Sequence, residues 1–210
     1  MKSNRCVIIG ASPDTDIRLL KENILPEDFV VCADGGWLFA KKAGITPELI
    51  IGDSDSSDFP EDAFCEEIRL PVHKDDTDTL YCIKECLKRG FWDFLLLGMT
   101  GGREDHTFAN YSALLYIASR GASGRIIDKK GICEAVNNNH ISIVNKKGYG
   151  FAVFPFGCEK CRVTLKGFLY ETDKAELTAD FPIGVSNRIV SDNAFVQAED
   201  GSVLVFVYNI

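Results

Sequence analysis

Leu49-Ile50-Ile51-Gly52-Asp53-Ser54-Asp55-Ser56 is a short apolar run that ends in glycine and releases two aspartates. A run of this length closed by turn residues reads as a buried strand, and open α/β sheets bind their ligands at the carboxyl ends of such strands. Two more loops repeat the arrangement. His73-Lys74-Asp75-Asp76-Thr77-Asp78 follows the apolar stretch Ile68 to Val72, and Gly98-Met99-Thr100-Gly101-Gly102-Arg103-Glu104-Asp105-His106 follows the run that begins at Phe94. If these strands are parallel, all three polar loops meet along one edge of the sheet.

Such an edge needs compensation. Two carboxylates about 4 Å apart at an effective dielectric near 20 repel by roughly 4 kcal/mol, so converging aspartates either raise their pKa values or hold a cation. Oxygen ligands select Mg²⁺ or Ca²⁺, and Mg²⁺ is commonly held by one or two carboxylates together with substrate phosphates. Arg103 supplies the complementary half: its planar fork suits phosphate oxygens, Gly101 and Gly102 admit close backbone approach, and a helix starting near Asp105 points its positive end at the same place. The residues therefore describe a Mg²⁺-polyphosphate site.

Gly52-Asp53-Ser54-Asp55-Ser56, Lys74-Asp75-Asp76-Thr77-Asp78 and Gly101-Gly102-Arg103-Glu104-Asp105-His106 with Asn110 resemble three ordered motifs of the thiamine pyrophosphokinases. Asp34-Gly35-Gly36 and Gly184-Val185-Ser186-Asn187 are similar to two more, and the five together span most of the chain. The resemblance implies transfer of the pyrophosphoryl group of ATP to the hydroxyl of thiamine, giving thiamine diphosphate and AMP. It implies Mg²⁺ on Asp53, Asp55, Asp75 and Asp78, with these acids and Arg103 as the catalytic set. ATP contacts are implied at Asp34, Gly35, Gly36, Lys74, Thr77, Gly101, Gly102, Arg103, Asp105 and His106, and thiamine contacts at Ser186 and Asn187. It further implies a homodimer in which thiamine lies between one subunit's sandwich and the other's nucleotide domain. One departure is visible: the family often carries a tryptophan near the C-terminus, whereas the tryptophans here are Trp37 and Trp92.

The 46% hydrophobic content is ordinary for a globular protein. A formal net charge of −8 over 210 residues disfavours nucleic acid, which needs clustered Lys and Arg. No apolar stretch approaches the ~20 residues of a membrane span, and the N-terminus lacks a signal-peptide core, so a cytoplasmic location is expected. The eight cysteines are then expected as thiols. Cys158 and Cys161 form the only C-x-x-C pair, and without a second pair or nearby histidines zinc is not expected there.

In chain order, strands are expected at Cys6 to Gly10, Phe29 to Ala33, Leu49 to Gly52, Ile68 to Val72 and Phe94 to Gly98. Helices are expected after Asp14, over Trp37 to Ala43, over Thr79 to Arg89 and over Asp105 to Arg120. Asp34 reads either as a helix cap or as a member of the nucleotide site. One of Asp76, Thr77 and Asp78 should serve the start of its helix, and the last helix should bury Phe108, Leu115 and Ala118 while His106 and Asn110 share a face. His106 reads as a base or as a residue that orders Asp105 or Arg103.

From Arg125 strand signals arrive without helical periods, and turns fall at Asn137-Asn138-Asn139, Lys146-Lys147-Gly148 and Glu199-Asp200-Gly201. The fold expected is an α/β N-terminal domain over residues 1–130 with a mostly parallel, Rossmann-like three-layer sheet, followed by an all-β C-terminal sandwich over residues 131–210. Two rival functions exist. A haloacid-dehalogenase phosphatase also places Asp-x-Asp after a strand, but on the first strand and with Thr or Val two residues on. A non-catalytic acidic Ca²⁺- or nucleotide-binding module leaves Arg103 and Lys74 without a purpose.

Overall fold

The computed structural model describes residues 4–53, 65–71 and 75–210. Its first part alternates strands and helices: β1 (Arg5–Ile9), α1 (Ile17–Asn23), β2 (Phe29–Ala33), α2 (Gly36–Ala43), β3 (Leu49–Asp53), β4 (Glu66–Leu70), α3 (Asp78–Lys88), β5 (Asp93–Leu97), α4 (Glu104–Ala118) and β6 (Ser123–Ile127). The six strands are parallel to their neighbours and lie in the order β6-β5-β1-β2-β3-β4.

Continuous apolar runs produce this sheet because both faces are covered. On one face Val7, Ile9, Cys32, Ile50, Leu95 and Leu97 pack with Leu20 of α1 and Ala40 and Ala43 of α2. The alternate residues face the other way, where the sulfurs of Cys6 and of Cys86 on α3 are 3.4 Å apart. Ile8, Val31, Leu49, Ile51 and Leu96 are fully buried, and each such side chain stabilises the fold by about 2 kcal/mol. The three-layer α/β architecture expected from sequence is present. Where α2 crosses β1 only glycine fits: a Cβ on Gly36 would sit 2.1 Å from the Ile9 carbonyl oxygen.

The local expectations for β4 and α4 need correction, whereas a helix start served by one of Asp76, Thr77 and Asp78 is borne out. β4 runs from Glu66 to Leu70, two residues earlier than its apolar pattern suggested, because it pairs Glu66 with Leu49 and Leu70 with Asp53. α3 starts at Asp78 because the Thr77 hydroxyl caps it, accepting from the Leu80 N–H at 3.2 Å. α4 buries Thr107, Asn110, Ala113, Leu114 and Ile117, whereas Phe108 is 61% exposed and Leu115 and Ala118 are half-buried. The buried stripe thus includes two polar residues that the hydrophobic pattern passed over.

By contacts the chain forms two compact units, residues 1–113 with 121–129, and residues 114–120 with 130–210. The second unit contains β7 (Gly131–Asn137), β8 (His140–Val144), β9 (Gly150–Pro155), β10 (Lys160–Lys166), β11 (Thr172–Thr178), β12 (Asn187–Arg188), β13 (Asn193–Glu199) and β14 (Ser202–Tyr208). Its strands pair antiparallel, giving one quartet β12-β9-β14-β7 and another β11-β10-β13-β8. Phe151, Val153, Val203, Val205 and Val207 of the first quartet share a core with Val163, Leu165, Val196 and Ala198 of the second. This is the expected sandwich. The outer face of the second quartet carries exposed ion pairs, Lys160 with Glu176 at 3.0 Å and Arg162 with Asp200 at 2.6 Å, which solvent screens so that they add little to stability.

The eight cysteines are all thiols, none of them in a disulfide. Cys158 Sγ donates to the Ser202 carbonyl at 3.3 Å, and burial pushes the Cys161 thiol up to about 12, so Cys161 is held protonated. Among the described residues no helix is long and apolar enough to cross a membrane.

Candidate active site

The strand order of the first unit reverses between β1 and β5, and such a reversal opens a crevice at the carboxyl edge of the sheet. A cavity of about 490 Å³ lies there. Its lining includes Gly10 to Pro13 after β1, Asp34 after β2, Gly98, Met99 and Gly101 to Arg103 after β5, Thr77 to Thr79 at the start of α3, and His106 and Asn110 on α4.

Asp34 has φ +51 and donates its backbone N–H to the Ile51 carbonyl at 2.8 Å. Left-handed geometry is uncommon for a residue with a side chain and clusters at functional sites. Gly52 makes room for it, since a Cβ there would lie 3.0 Å from the Asp34 Cα. The cap position of α2 belongs to Gly35, with no side-chain cap bond, so the reading of Asp34 as a cap is overturned. Asp34 faces the cavity instead, while Gly36 is explained by helix packing.

Asp53 ends β3 and is half-buried. Register Ala33↔Ile51 puts it one residue beyond the point where Gly52 meets Asp34. Thr77 and Asp78 line the cavity, Asp75 is exposed, and Asp76 is committed elsewhere: Lys84 Nζ donates to both its oxygens at 2.7 Å. The acids of this loop therefore divide between site and scaffold. Ser54, Asp55, Ser56, His73 and Lys74 lie outside the described residues. Among the described residues no three His, Cys, Asp or Glu side chains form a group that could hold a metal.

Arg103 is exposed and makes a two-point pair with Asp105, Nε to Oδ1 at 3.0 Å and Nη2 to Oδ2 at 2.5 Å. Asp105 Oδ1 also accepts from the His106 N–H at 3.0 Å. The guanidinium is the main reason the Asp105 carboxyl falls to about 2. Asp105 thus orients Arg103, while Arg103, Gly101, Gly102 and His106 line the cavity. Asn110 is buried and donates from Nδ2 to the Met99 carbonyl at 2.7 Å, holding the turn that carries them.

In the second unit Ser186 is exposed with φ +60. Asn187 is 8% exposed and its amide is engaged at both ends: Oδ1 accepts from the N–H groups of Tyr170 and Arg188 at 3.0 and 2.8 Å, and Nδ2 donates to the Tyr170 carbonyl at 2.8 Å. Its side chain organises the Tyr170 loop. Sequence reasoning missed Ser12, Thr100 and Asp128, whose hydroxyls and carboxylate tie together the loops after β1, β5 and β6. Ser12-Pro13-Asp14 gave only a turn signal.

A parallel α/β unit with acids and an arginine at its strand-order reversal, followed by an antiparallel β unit, defines a two-part enzyme of the nucleotide-using α/β class. Residues 20–124 match the family model "Thiamin pyrophosphokinase, catalytic domain" and residues 138–203 match "Thiamin pyrophosphokinase, vitamin B1 binding domain". The chain belongs to the thiamin pyrophosphokinase family. The thiamine pyrophosphokinase of Bacillus subtilis (strain 168) is 26% identical over 163 residues, 75% of this chain and 76% of that one. The crystal structure of thiamine pyrophosphokinase from Bacillus subtilis has the same fold, with a TM-score of 0.86 at 21% identity over 98% of this chain and 99% of the other. That of the enzyme from Geobacillus thermodenitrificans gives 0.84 at 22% identity over 98% of each chain. Yeast thiamin pyrophosphokinase gives 0.77 at 17% identity, covering 100% of this chain and 87% of its own.

Proposed function

We propose that the crevice between β1 and β5 receives the triphosphate of ATP, with Arg103, Lys74 and the Gly101-Gly102 turn on its phosphates and Asp53, Asp55, Asp75 and Asp78 holding Mg²⁺. The activity is thiamine diphosphokinase: the hydroxyl oxygen of thiamine bonds to the β-phosphorus of ATP, the bond to the α–β bridging oxygen breaks, and AMP leaves with that electron pair. The observation that carries the site assignment is the convergence of Asp34, Asp78 and Arg103 on one cavity. The donor set fits the metal, because Asp53, Asp75 and Asp78 offer only oxygen. When bound, Mg²⁺ neutralises charge on the phosphates.

The protein's own groups do the rest by position and electrostatics, since phosphoryl transfer asks little covalent chemistry of its catalyst. Arg103 meets charge that builds on the transferred group, and Asp105 holds its guanidinium in one orientation. A carboxylate of the acidic cluster accepts the hydroxyl proton of thiamine. Asp53 stands at the end of the third strand, so the phosphatase alternative, which wants its aspartate after the first, is not favoured.

The reading includes a homodimer with shared sites and a cytoplasmic location. Leu169, Tyr170, Phe181, Ile183 and Val185 are each more than half exposed in the second unit, an apolar surface that suits a second subunit and the rings of thiamine. Eight cysteines outside any disulfide suit a reducing compartment. The test is incubation with ATP, Mg²⁺ and thiamine. AMP formed in step with thiamine diphosphate supports the reading, whereas free phosphate or no turnover refutes it. Light scattering together with the assay checks the dimer, and a fully active monomer contradicts the shared site.

A further inference from the structure

The turn between β5 and α4 is fastened from elements far away in the chain. Ser12 Oγ, in the loop after β1, donates to the Thr100 carbonyl at 2.5 Å. Thr100 Oγ1 donates to Oδ2 of Asp128, just past β6, at 2.6 Å. Asn110 takes the neighbouring Met99 carbonyl at 2.7 Å. We infer that Thr100, gripped by Ser12 and Asp128, is a positioning residue that sets the Gly101-Gly102-Arg103 turn for the nucleotide's phosphates; this rests on the proposed nucleotide site.

Two features support it. Gly101 and Gly102 both have positive φ, +92 and +67, and glycines leave a turn free to adopt many shapes unless its ends are held. Thr100 is the residue immediately before them. Moreover, a carbonyl oxygen aimed at a phosphate would repel it, and the carbonyls of Met99 and Thr100 are both committed to donors. The bond to Asp128 is charge-assisted and therefore stronger than one between neutral groups.

Thr100 and Asp128 also stand outside the crevice. Both line a separate cavity of about 20 Å³, water-sized, with Asp14 and Thr15, and neither is part of the lining of the larger cavity. Their influence on the nucleotide must therefore pass through the turn. That separates them from Arg103, which touches the crevice directly.

The test uses the full chain, with Thr100→Val, Thr100→Ser, Asp128→Ala and Asp128→Asn. Steady-state KM values are measured for ATP and thiamine, and Mg-ATP binding is measured by calorimetry without thiamine. Loss of one such bond is expected to raise the KM and Kd for ATP roughly tenfold in Thr100→Val and Asp128→Ala. The KM for thiamine stays within about twofold, and Thr100→Ser and Asp128→Asn, which keep a donor and an acceptor, recover most of the loss. If Thr100→Val proves unfolded by circular dichroism, Asp128→Ala carries the same comparison from outside the crevice. Folded variants with unchanged ATP binding overturn the inference, as does an equal rise in both KM values. Should the wild-type chain bind Mg-ATP but form no thiamine diphosphate, the functional reading fails while the calorimetric series still decides the role of Thr100.

Discussion

On the arginine side of the crevice the turn after β5 is held by hydrogen bonds from the loop after β1, from α4 and from the end of β6. On the acidic side, Asp78 in the first turn of a helix lines the crevice, whereas Asp53 at a strand end and the exposed Asp75 are not among its lining residues. The difference follows from charge. A cationic site for phosphate can be assembled in advance, because its ligand brings the opposite sign. Several carboxylates can be brought together closely only when a cation arrives with the substrate. The arginine side is preorganised by the fold; on the proposed function, the acidic side would be completed by the cation.

Substitutions on the two sides should then behave differently. The largest effect is expected from Asp53→Asn, which removes a charge without changing shape: kcat should fall by roughly a hundredfold or more with an unchanged thermal midpoint. Near-normal turnover would remove Asp53 from the metal set. Arg103→Lys comes next. Lysine cannot reproduce the two-point fork seen with Asp105, so kcat/KM for ATP should drop by roughly tenfold to a hundredfold while the KM for thiamine holds. A loss confined to thiamine would reverse the roles of the two sides.

A smaller change is expected from Thr77→Ala. Its hydroxyl caps α3, so the loss is mainly stability, about 1 kcal/mol by denaturant unfolding. A large fall in kcat at unchanged stability would move Thr77 from scaffold to chemistry. The smallest effect concerns pH. Because the Asp105 carboxyl lies at about 2, below its unfolded value, the contribution of its ionised form is present above the usual carboxylate range and is lost only as pH falls through about 2. Carbon NMR should show Asp105 still ionised at pH 3, and a midpoint near 4 would mean that Arg103 is not paired with it in solution.

The strands of the first unit were legible because they are buried on both faces, which turns them into unbroken apolar runs: β2 lies where its pattern put it, at Phe29–Ala33. The polar loops at their ends were legible for the same reason, as abrupt changes in composition. β11 was missed. Thr172–Thr178 lies at the edge of its quartet and buries only Leu177, so its sequence carries almost no apolar alternation. The face of α4 was misjudged because buried Thr107 and Asn110 are polar, and exposed Phe108 is not. Least legible of all was the fastening of the β5–α4 turn. Ser12 and Thr100 are 88 residues apart and Thr100 and Asp128 are 28, and no local pattern links them.

The most direct measurement is a crystal structure of the protein with Mg²⁺, thiamine and a non-hydrolysable ATP analogue. The expected result has the β- and γ-phosphates between the Gly101-Gly102-Arg103 turn and Asp78, with Asp53 turned toward the metal. Phosphates bound away from the β1/β5 reversal, or a metal held without any of these aspartates, would contradict the account.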